Sequence, residues 1–415
     1  MKCRHCRKEL QYVFVDLFNS PPSNSYLTKE QLNEPEILYP LKLYVCEHCF
    51  LVQIDEYKKS TEIFDSDYAY FSSYSTSWLE HSKKYVNMIT EKLNLGEKSF
   101  VIEIASNDGY LLQYFKEKNI PCLGIEPTAS TAKAARKKGI DVQQTFFNAA
   151  LAQTLKKADL ILGNNVLAHV PNINDFAAGL KIALNPGGTI TMEFPHLLNL
   201  IYFNQFDTIY HEHFSYLSLM TVQKIFNSQG LIIYNVEELP THGGSLRVYA
   251  AHNENTFLSI EESVHNVIKK EKSAGLDTVD GYRGFGNKVK QIKWDFLEFL
   301  VKTRKDDQKI AAYGAAAKGN TFFNYCGIRS DIIDFVVDAS PHKQGKYLPL
   351  SHIPIVSEDV LKKEKPDYII ILPWNLHDEI VNPLNYTGTW GAKLITAIPE
   401  IKVTSPLDSN QGLVV

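Results

Sequence analysis

Four cysteines stand in two identical spacings, Cys3-Arg-His-Cys6 and Cys46-Glu-His-Cys49. Two residues between thiolates let both turn towards one ion, and two such knuckles complete a tetrahedron around zinc. The stretch between the pairs, about 39 residues, exceeds the usual spacing in small zinc modules, so it is expected to fold as a subdomain around the ion. His5 and His48 are alternative ligands, but their place inside the knuckles favours the four sulfurs. Four thiolates leave no position for an activated water, so the predicted zinc is structural. A redox pair would sit at a strand-to-helix turn, whereas residues 1–7 precede any strand.

A second set of reactive side chains lies further on: Asn164, Asn165 and His169, then Tyr210-His-Glu-His-Phe-Ser-Tyr216. An imidazole titrates near neutral pH and can take or give a proton there. Amide donors matter most where negative charge develops. His211 and His213 lack the i, i+4 spacing of a helical zinc pair, and no third ligand is evident, so acid–base chemistry is preferred to a catalytic metal. Histidines satisfied by hydrogen bonds within a folded loop are the plainer alternative.

The elements that must hold these groups read as α/β. A helix is expected over about 76–93, with apolar positions at Trp78, Leu79, Tyr85, Val86, Ile89 and Leu93. After it, Phe100-Val-Ile-Glu-Ile-Ala-Ser-Asn-Asp-Gly109 gives a β-branched run, a small-residue turn and then the apolar Leu111, Leu112 and Phe115 of a helix. Strand, tight turn and helix open a doubly wound domain. The turn resembles the first motif of class I methyltransferases, which makes Glu103, Ala105, Asn107 and Gly109 candidates for holding S-adenosylmethionine (SAM), with Asn164 after a later strand as a further candidate. A dinucleotide fingerprint is absent, and SAM has no pyrophosphate to require one. The next strand ends at Glu126, where a carboxylate can accept both hydroxyls of a ribose. Further strands are expected at 158–163 and 189–194, the second after the turn Asn185-Pro-Gly-Gly188. Ligands of such sheets lie beyond the carboxyl ends of the strands, where the reactive loops fall.

The C-terminal third repeats the pattern. One or two helices, interrupted near 281–286, lead to Lys309-Ile-Ala-Ala-Tyr-Gly-Ala-Ala-Ala-Lys-Gly-Asn320, again strand, glycine turn and helix. It is not a Walker loop, since Asn320 stands where lysine is required. Backbone N–H groups and Lys318 could still cradle a pyrophosphate. Arg247 suits either a phosphate or a structural carboxylate.

Composition narrows the class. The 415 residues are enough for two or three domains. With a net charge of −4 and scattered lysines, such as the solvated-looking run 269–272, nucleic acid is not expected as a partner. No signal peptide opens the chain and no apolar run could span a bilayer, so no membrane partner is expected. Sparse cysteines argue against a disulfide framework, and a reducing cytoplasm is the expected location.

Taken together, the two Cys-x-x-Cys pairs, Ala-Ser-Asn-Asp-Gly109, Asn164-Asn-Val-Leu-Ala-His169, residues 210–216, His242-Gly-Gly-Ser-Leu-Arg247 and Gly314-Ala-Ala-Ala-Lys-Gly-Asn320 resemble the three-domain C-methyltransferases of nucleotide-activated deoxysugars. Ala105 departs from the usual glycine. The resemblance implies a zinc-binding lobe at 1–66, a SAM-binding class I methyltransferase domain at 67–254 and a Rossmann-like nucleotide-sugar domain at 255–415. It implies methyl transfer to C3 of a 4-keto-deoxyhexose, usually on TDP, with His213 as the base that makes an enolate. Glu212 and Tyr210 would orient the sugar or the base, Asn165 and His169 would hold the sugar or its enolate oxygen, and Tyr70 and Tyr74 would add substrate contacts. Lys318 would be a phosphate ligand, while Arg247 stays open between a phosphate and a structural carboxylate. Competing readings are a methyltransferase acting on a hydroxyl or amine, and a non-catalytic sugar-nucleotide-binding protein.

Overall fold

The computed structural model describes residues 1–59 and 71–406, and these divide into two compact units. The first comprises residues 1–12, 45–198 and 212–281; the second comprises 13–44, 199–211 and 282–415.

In the first unit, short apolar runs form the strands β1 (Val101–Ile104), β2 (Cys122–Ile125), β3 (Val142–Gln143), β4 (Ala158–Asn164), β5 (Leu184–Pro195), β6 (Leu231–Leu239) and β7 (Ser245–His252). They lie side by side in the order β6-β7-β5-β4-β1-β2-β3. Strands β1 to β5 pair in parallel, while β7 is antiparallel to both β5 and β6. The order reverses at β1, between β2 and β4, which places a ligand crevice beyond the carboxyl ends of β1 and β4. Helix Thr76–Lys92 covers this sheet, and Ser75 caps it by accepting from the Trp78 N–H. Its Tyr85, Val86 and Ile89 are buried in one cluster with Leu111, Leu112 and Phe115. The helix Glu262–Ser273, expected in the C-terminal domain, belongs to this unit. Its Glu271 accepts from the N–H groups of Leu219 and Met220 and meets His196 Nε2 at 2.7 Å, so a buried hydrogen-bonded anchor ties it here.

In the second unit the strands are β8 (Ile310–Tyr313), β9 (Val336–Val337), β10 (Ile355–Val356), β11 (Tyr368–Ile371), β12 (Lys393–Thr396) and β13 (Lys402–Thr404). Their order is β10-β9-β8-β11-β12-β13, parallel except for β13. Residues 13–44 fold in this unit. Phe14 stacks on Phe285 with centroids 4.6 Å apart, and the Asn320 amide donates to the Ser23 carbonyl. Their apolar residues find an aromatic surface on helix Phe285–Lys305, which an ion with four sulfurs cannot offer. Among the described residues, no helix is long and apolar enough to cross a membrane.

Candidate active site and zinc centre

The two cysteine pairs fold as matching knuckles. In each, the residue after the second cysteine turns back to the first: Arg7 N–H donates to the Cys3 carbonyl and Phe50 N–H to the Cys46 carbonyl, at 3.0 and 2.9 Å. Arg7 and Phe50 both take left-handed backbone angles, φ 63° and 64°, a conformation that glycine holds at less cost. The four Sγ atoms lie within 4.8 Å of one another, with Cys3–Cys49 and Cys6–Cys46 at 3.4 Å. A zinc ion with Zn–S bonds of about 2.3 Å needs sulfurs roughly 3.8 Å apart, so the set fits tetrahedral zinc. Gln53, fully buried, donates to Cys3 Sγ at 3.3 Å and accepts from the Arg4 N–H, fixing one ligand from outside.

The residues between the cysteines grip the loops that carry the reactive histidines. The Arg4 guanidinium donates to the Pro171 carbonyl at 3.0 Å and the Ile54 carbonyl at 2.6 Å, and lies over the Phe214 ring. His5 and Asn174 exchange two hydrogen bonds. The strand Val52–Ile54 pairs antiparallel with Ser215–Tyr216. The knuckle lobe thus holds both the segment after His169 and the segment after His213.

Three alternate residues of the turn after β1, Ala105, Asn107 and Gly109, have positive φ of 57°, 49° and 75°. Such a turn aims successive N–H groups into a concavity. Ala105 shows directly why glycine is more usual at this place. A Cβ on Gly109 would run into the Ile140 side chain, so glycine is required there for space as well as for conformation. Glu126, at the end of β2, is pinned against the turn: one oxygen accepts from Asn107 N–H, the other from Thr128 N–H and the Thr131 hydroxyl, at 2.9–3.1 Å. Burial raises the Glu126 pKa and these donors pull it back. Glu103 is fully buried within β1, and burial pushes its carboxyl well above the usual range. Asp108 Oδ1 is buried without a partner, while Oδ2 takes the Ser73 hydroxyl and Lys138. Glu126 and Asp108 thus border the turn on the side where β1 and β2 end. Ser72 N–H donates to Asn107 Oδ1, so the segment before the first helix closes on the turn. Tyr74 lies on that segment, 70% exposed and stacked on Phe71; Tyr70 lies outside the described residues.

Beyond β4, Asn164 donates to the Tyr110 hydroxyl at 3.4 Å. Asn165 adopts φ 54°, gives its N–H to the Glu193 carbonyl, and its side-chain Nδ2 donates to His242 Nε2 at 2.7 Å. His169 donates through Nδ1 to the Glu212 carbonyl at 2.8 Å, and burial depresses its pKa to about 4. Its ring meets that of His213 edge-on, centroids 4.6 Å apart, and His213 in turn faces Tyr216 at 6.0 Å. His169, Glu212 and His213 therefore come together, and Asn165 stands on the same strand end as His169. Tyr210 belongs to the second unit, where its neighbour His211 packs on Tyr39 and reaches the Pro40 carbonyl.

Of the two partners left open for Arg247, the structure shows carboxylates. The register of β7 sets Arg247 between Glu237 of β6 and Glu193 of β5, and its guanidinium donates to them at 2.9 and 2.7 Å. It is 4% exposed, so a phosphate would have to displace both. Burial opposes charge on Glu193, but His81, Arg247 and Thr241 more than offset it and leave its pKa at about 2. Sequence spacing missed His81, Glu193 and His242; only the strand register and one shared turn bring them together. Trp78, expected as an apolar helix position, packs against the core cluster and also stacks on His81 and contacts His242.

In the second unit, Lys318 follows the turn after β8 and is held by Asn375 Oδ1 and the face of Trp374. Trp374 donates to Asp207 at 2.6 Å. Burial lowers the Lys318 pKa, partly countered by Asp207, and burial raises Asp207 to about 6. At the end of β9, Asp338 accepts from the N–H groups of Ala315 and Ser340 and pairs with Lys343.

A family of zinc binding domains matches residues 3–64, a family of methyltransferase domains residues 79–236, and a family of C-methyltransferase C-terminal domains residues 240–399. The chain is 31% identical over 408 residues to C-methyltransferase NovU of Streptomyces niveus, covering 97% of each protein. Among solved structures it aligns with magnesium protoporphyrin IX methyltransferase of Synechocystis PCC 6803 with bound SAH, at 15% identity and TM-score 0.35 over 42% of this chain and 83% of that one. A S-adenosylmethionine-dependent methyltransferase from Clostridium acetobutylicum aligns at 10% identity and TM-score 0.36 over 42% and 92%.

Proposed function

Because the chain belongs to the SAM-dependent C-methyltransferase family in which zinc binding, methyltransferase and C-terminal domains follow one another, we propose that it methylates C3 of a 4-keto-deoxyhexose carried on TDP, with His213 as the base. Carbon attacks an electrophilic methyl only as an enolate, so the hydrogen α to the 4-keto group must leave first. Bound SAM supplies the methyl group. His213 takes the C3 proton, the electron pair passes through C3=C4 to the 4-oxygen, and the enolate then attacks from C3. The observation that carries this reading is the imidazole pair at the end of β4. His169, with its pKa near 4, stays neutral at physiological pH and adds no positive charge to keep His213 from accepting a proton. Asn165 and His169 present polar groups for the sugar and its enolate oxygen. Glu212 and Tyr210 orient the sugar or the base, and Glu126 holds the ribose hydroxyls of SAM with Asn107 and Gly109 shaping the turn. Lys318 takes the diphosphate.

The test is exchange at C3 in deuterated water with a TDP-4-keto-deoxysugar, with and without SAM. Wash-in that disappears in His213→Ala supports the base. That variant is expected to lose at least about a hundredfold in kcat while binding SAM normally by calorimetry. Methyl transfer to an oxygen or nitrogen with no exchange at carbon would overturn the reading.

A further inference from the structure

His242 has no part in the mechanism above, yet its placement is over-determined. It sits in a left-handed conformation, φ 56° and ψ 24°, followed by Gly243 and Gly244 at φ 87° and 112°. The loop is fastened on both sides: the Gly244 carbonyl accepts from His196 N–H, Gly244 N–H donates to the Thr241 carbonyl, and the Thr241 hydroxyl donates to Glu193. The ring rests against Trp78, centroids 5.0 Å apart. Its Nε2 then accepts the 2.7 Å hydrogen bond from Asn165 Nδ2. Asn165 is itself left-handed, and its Oδ1 is buried without a partner. Two non-glycine residues in a sparsely populated conformation, from the ends of different strands, meet through one side-chain hydrogen bond. Such strain persists where the surroundings enforce it, and it concentrates at functional sites.

An asparagine amide can turn over, exchanging its oxygen and nitrogen at little cost in shape. An imidazole nitrogen that bears no proton accepts and cannot donate, so it admits only the NH2 side. We propose that His242 is a positioning residue that fixes the orientation of the Asn165 amide, so that Oδ1 and the second Nδ2 hydrogen face the sugar as an acceptor and donor of known hand. The proposal rests on the reading of Asn165 as a sugar ligand, and it assigns His242 no contact with the reacting atoms. Trp78 and the Thr241–Glu193 bond serve as the mount of the ring.

The test uses the full-length protein with ¹⁵N-labelled histidine and a mutant cycle. At neutral pH, His242 is expected as the Nδ1–H tautomer, with an unprotonated Nε2 whose resonance moves in Asn165→Ala. A protonated Nε2, or a signal indifferent to Asn165→Ala, overturns the proposal. In turnover of a TDP-4-keto-deoxysugar, His242→Phe keeps the ring but lacks the acceptor and should lower kcat/KM about 10–100-fold with SAM affinity unchanged. His242→Gln restores an acceptor and should recover most of that loss; equal loss in both variants counts against the proposal. The double variant H242F/N165A should be no slower than N165A alone, whereas additive losses would mean that His242 acts independently. A wild-type protein that fails to methylate any such sugar sinks the proposed function, while the histidine spectrum still decides the role of His242.

Discussion

The two glycine turns of the molecule share a backbone plan and differ in charge. After β1 the chain passes Ala105 to Gly109 in the first unit, and after β8 it passes Gly314 to Gly319 in the second. Each begins a helix beyond a central parallel strand, and each sheet reverses its order there. The first turn is ringed by carboxyls: Glu103, Asp108 and Glu126. The second carries Lys318, near Asp207, and Lys343, paired with Asp338, which also accepts from backbone N–H groups. Under the proposed function, one architecture would take the cationic SAM at the first turn and the diphosphate at the second. Fold sets where a ligand can lie; the side chains at the strand ends set its charge.

Several substitutions would break or sharpen this contrast. Glu126→Gln removes a charged acceptor from the first turn and should weaken SAM binding by up to about a hundredfold, with TDP binding unchanged by calorimetry. Equal loss for both ligands would erase the distinction. Gly109→Ala and Gly314→Ala test what the turns share. Both glycines have positive φ, 75° and 86°, and a Cβ would collide with Ile140 or with Pro373. Each should cost about 2 kcal/mol in thermal or chemical unfolding.

Titration separates the units again. His169 has a folded pKa of about 4, below the ordinary value of roughly 6.5. Between these values the unfolded chain binds more protons, so this group makes stability fall as pH drops, by about 3 kcal/mol. Asp207 has the opposite sign. Its folded pKa of about 6 lies above its unfolded value, so its stabilisation is present below pH 4 and is lost as pH rises through 6. Denaturant midpoints of His169→Gln and Asp207→Asn across pH 4 to 7 should lose these opposite slopes. The smallest effect expected is that of Lys318→Met, about tenfold on TDP affinity with a shallower salt dependence and no change for SAM.

Local pattern made the first-unit strands, the helix Thr76–Lys92 and the cysteine knuckles legible, because each is set by residues close in sequence. The pairing of His169 with the Glu212–His213 segment was legible only through resemblance, since more than forty residues separate them and no short-range rule joins them. Arg247 was ambiguous because its partners are fixed by strand register, which composition does not reveal. The run 269–272 read as a solvated face, and its lysines are exposed; yet Glu271 among them is fully buried against His196. Periodicity cannot see a hydrogen-bonded pair whose other member lies on another element.

The knuckle tetrapeptide Cys3-Arg-His-Cys6 carries one further implication. Its cysteines bind the ion while Arg4 and His5, enclosed by them, clasp the chain at Ile54, Pro171 and Asn174. The described residues of this lobe therefore hold the two segments that carry His169 and His213. If the proposed function holds, loss of one thiolate is expected to lower turnover by letting these two rings move apart.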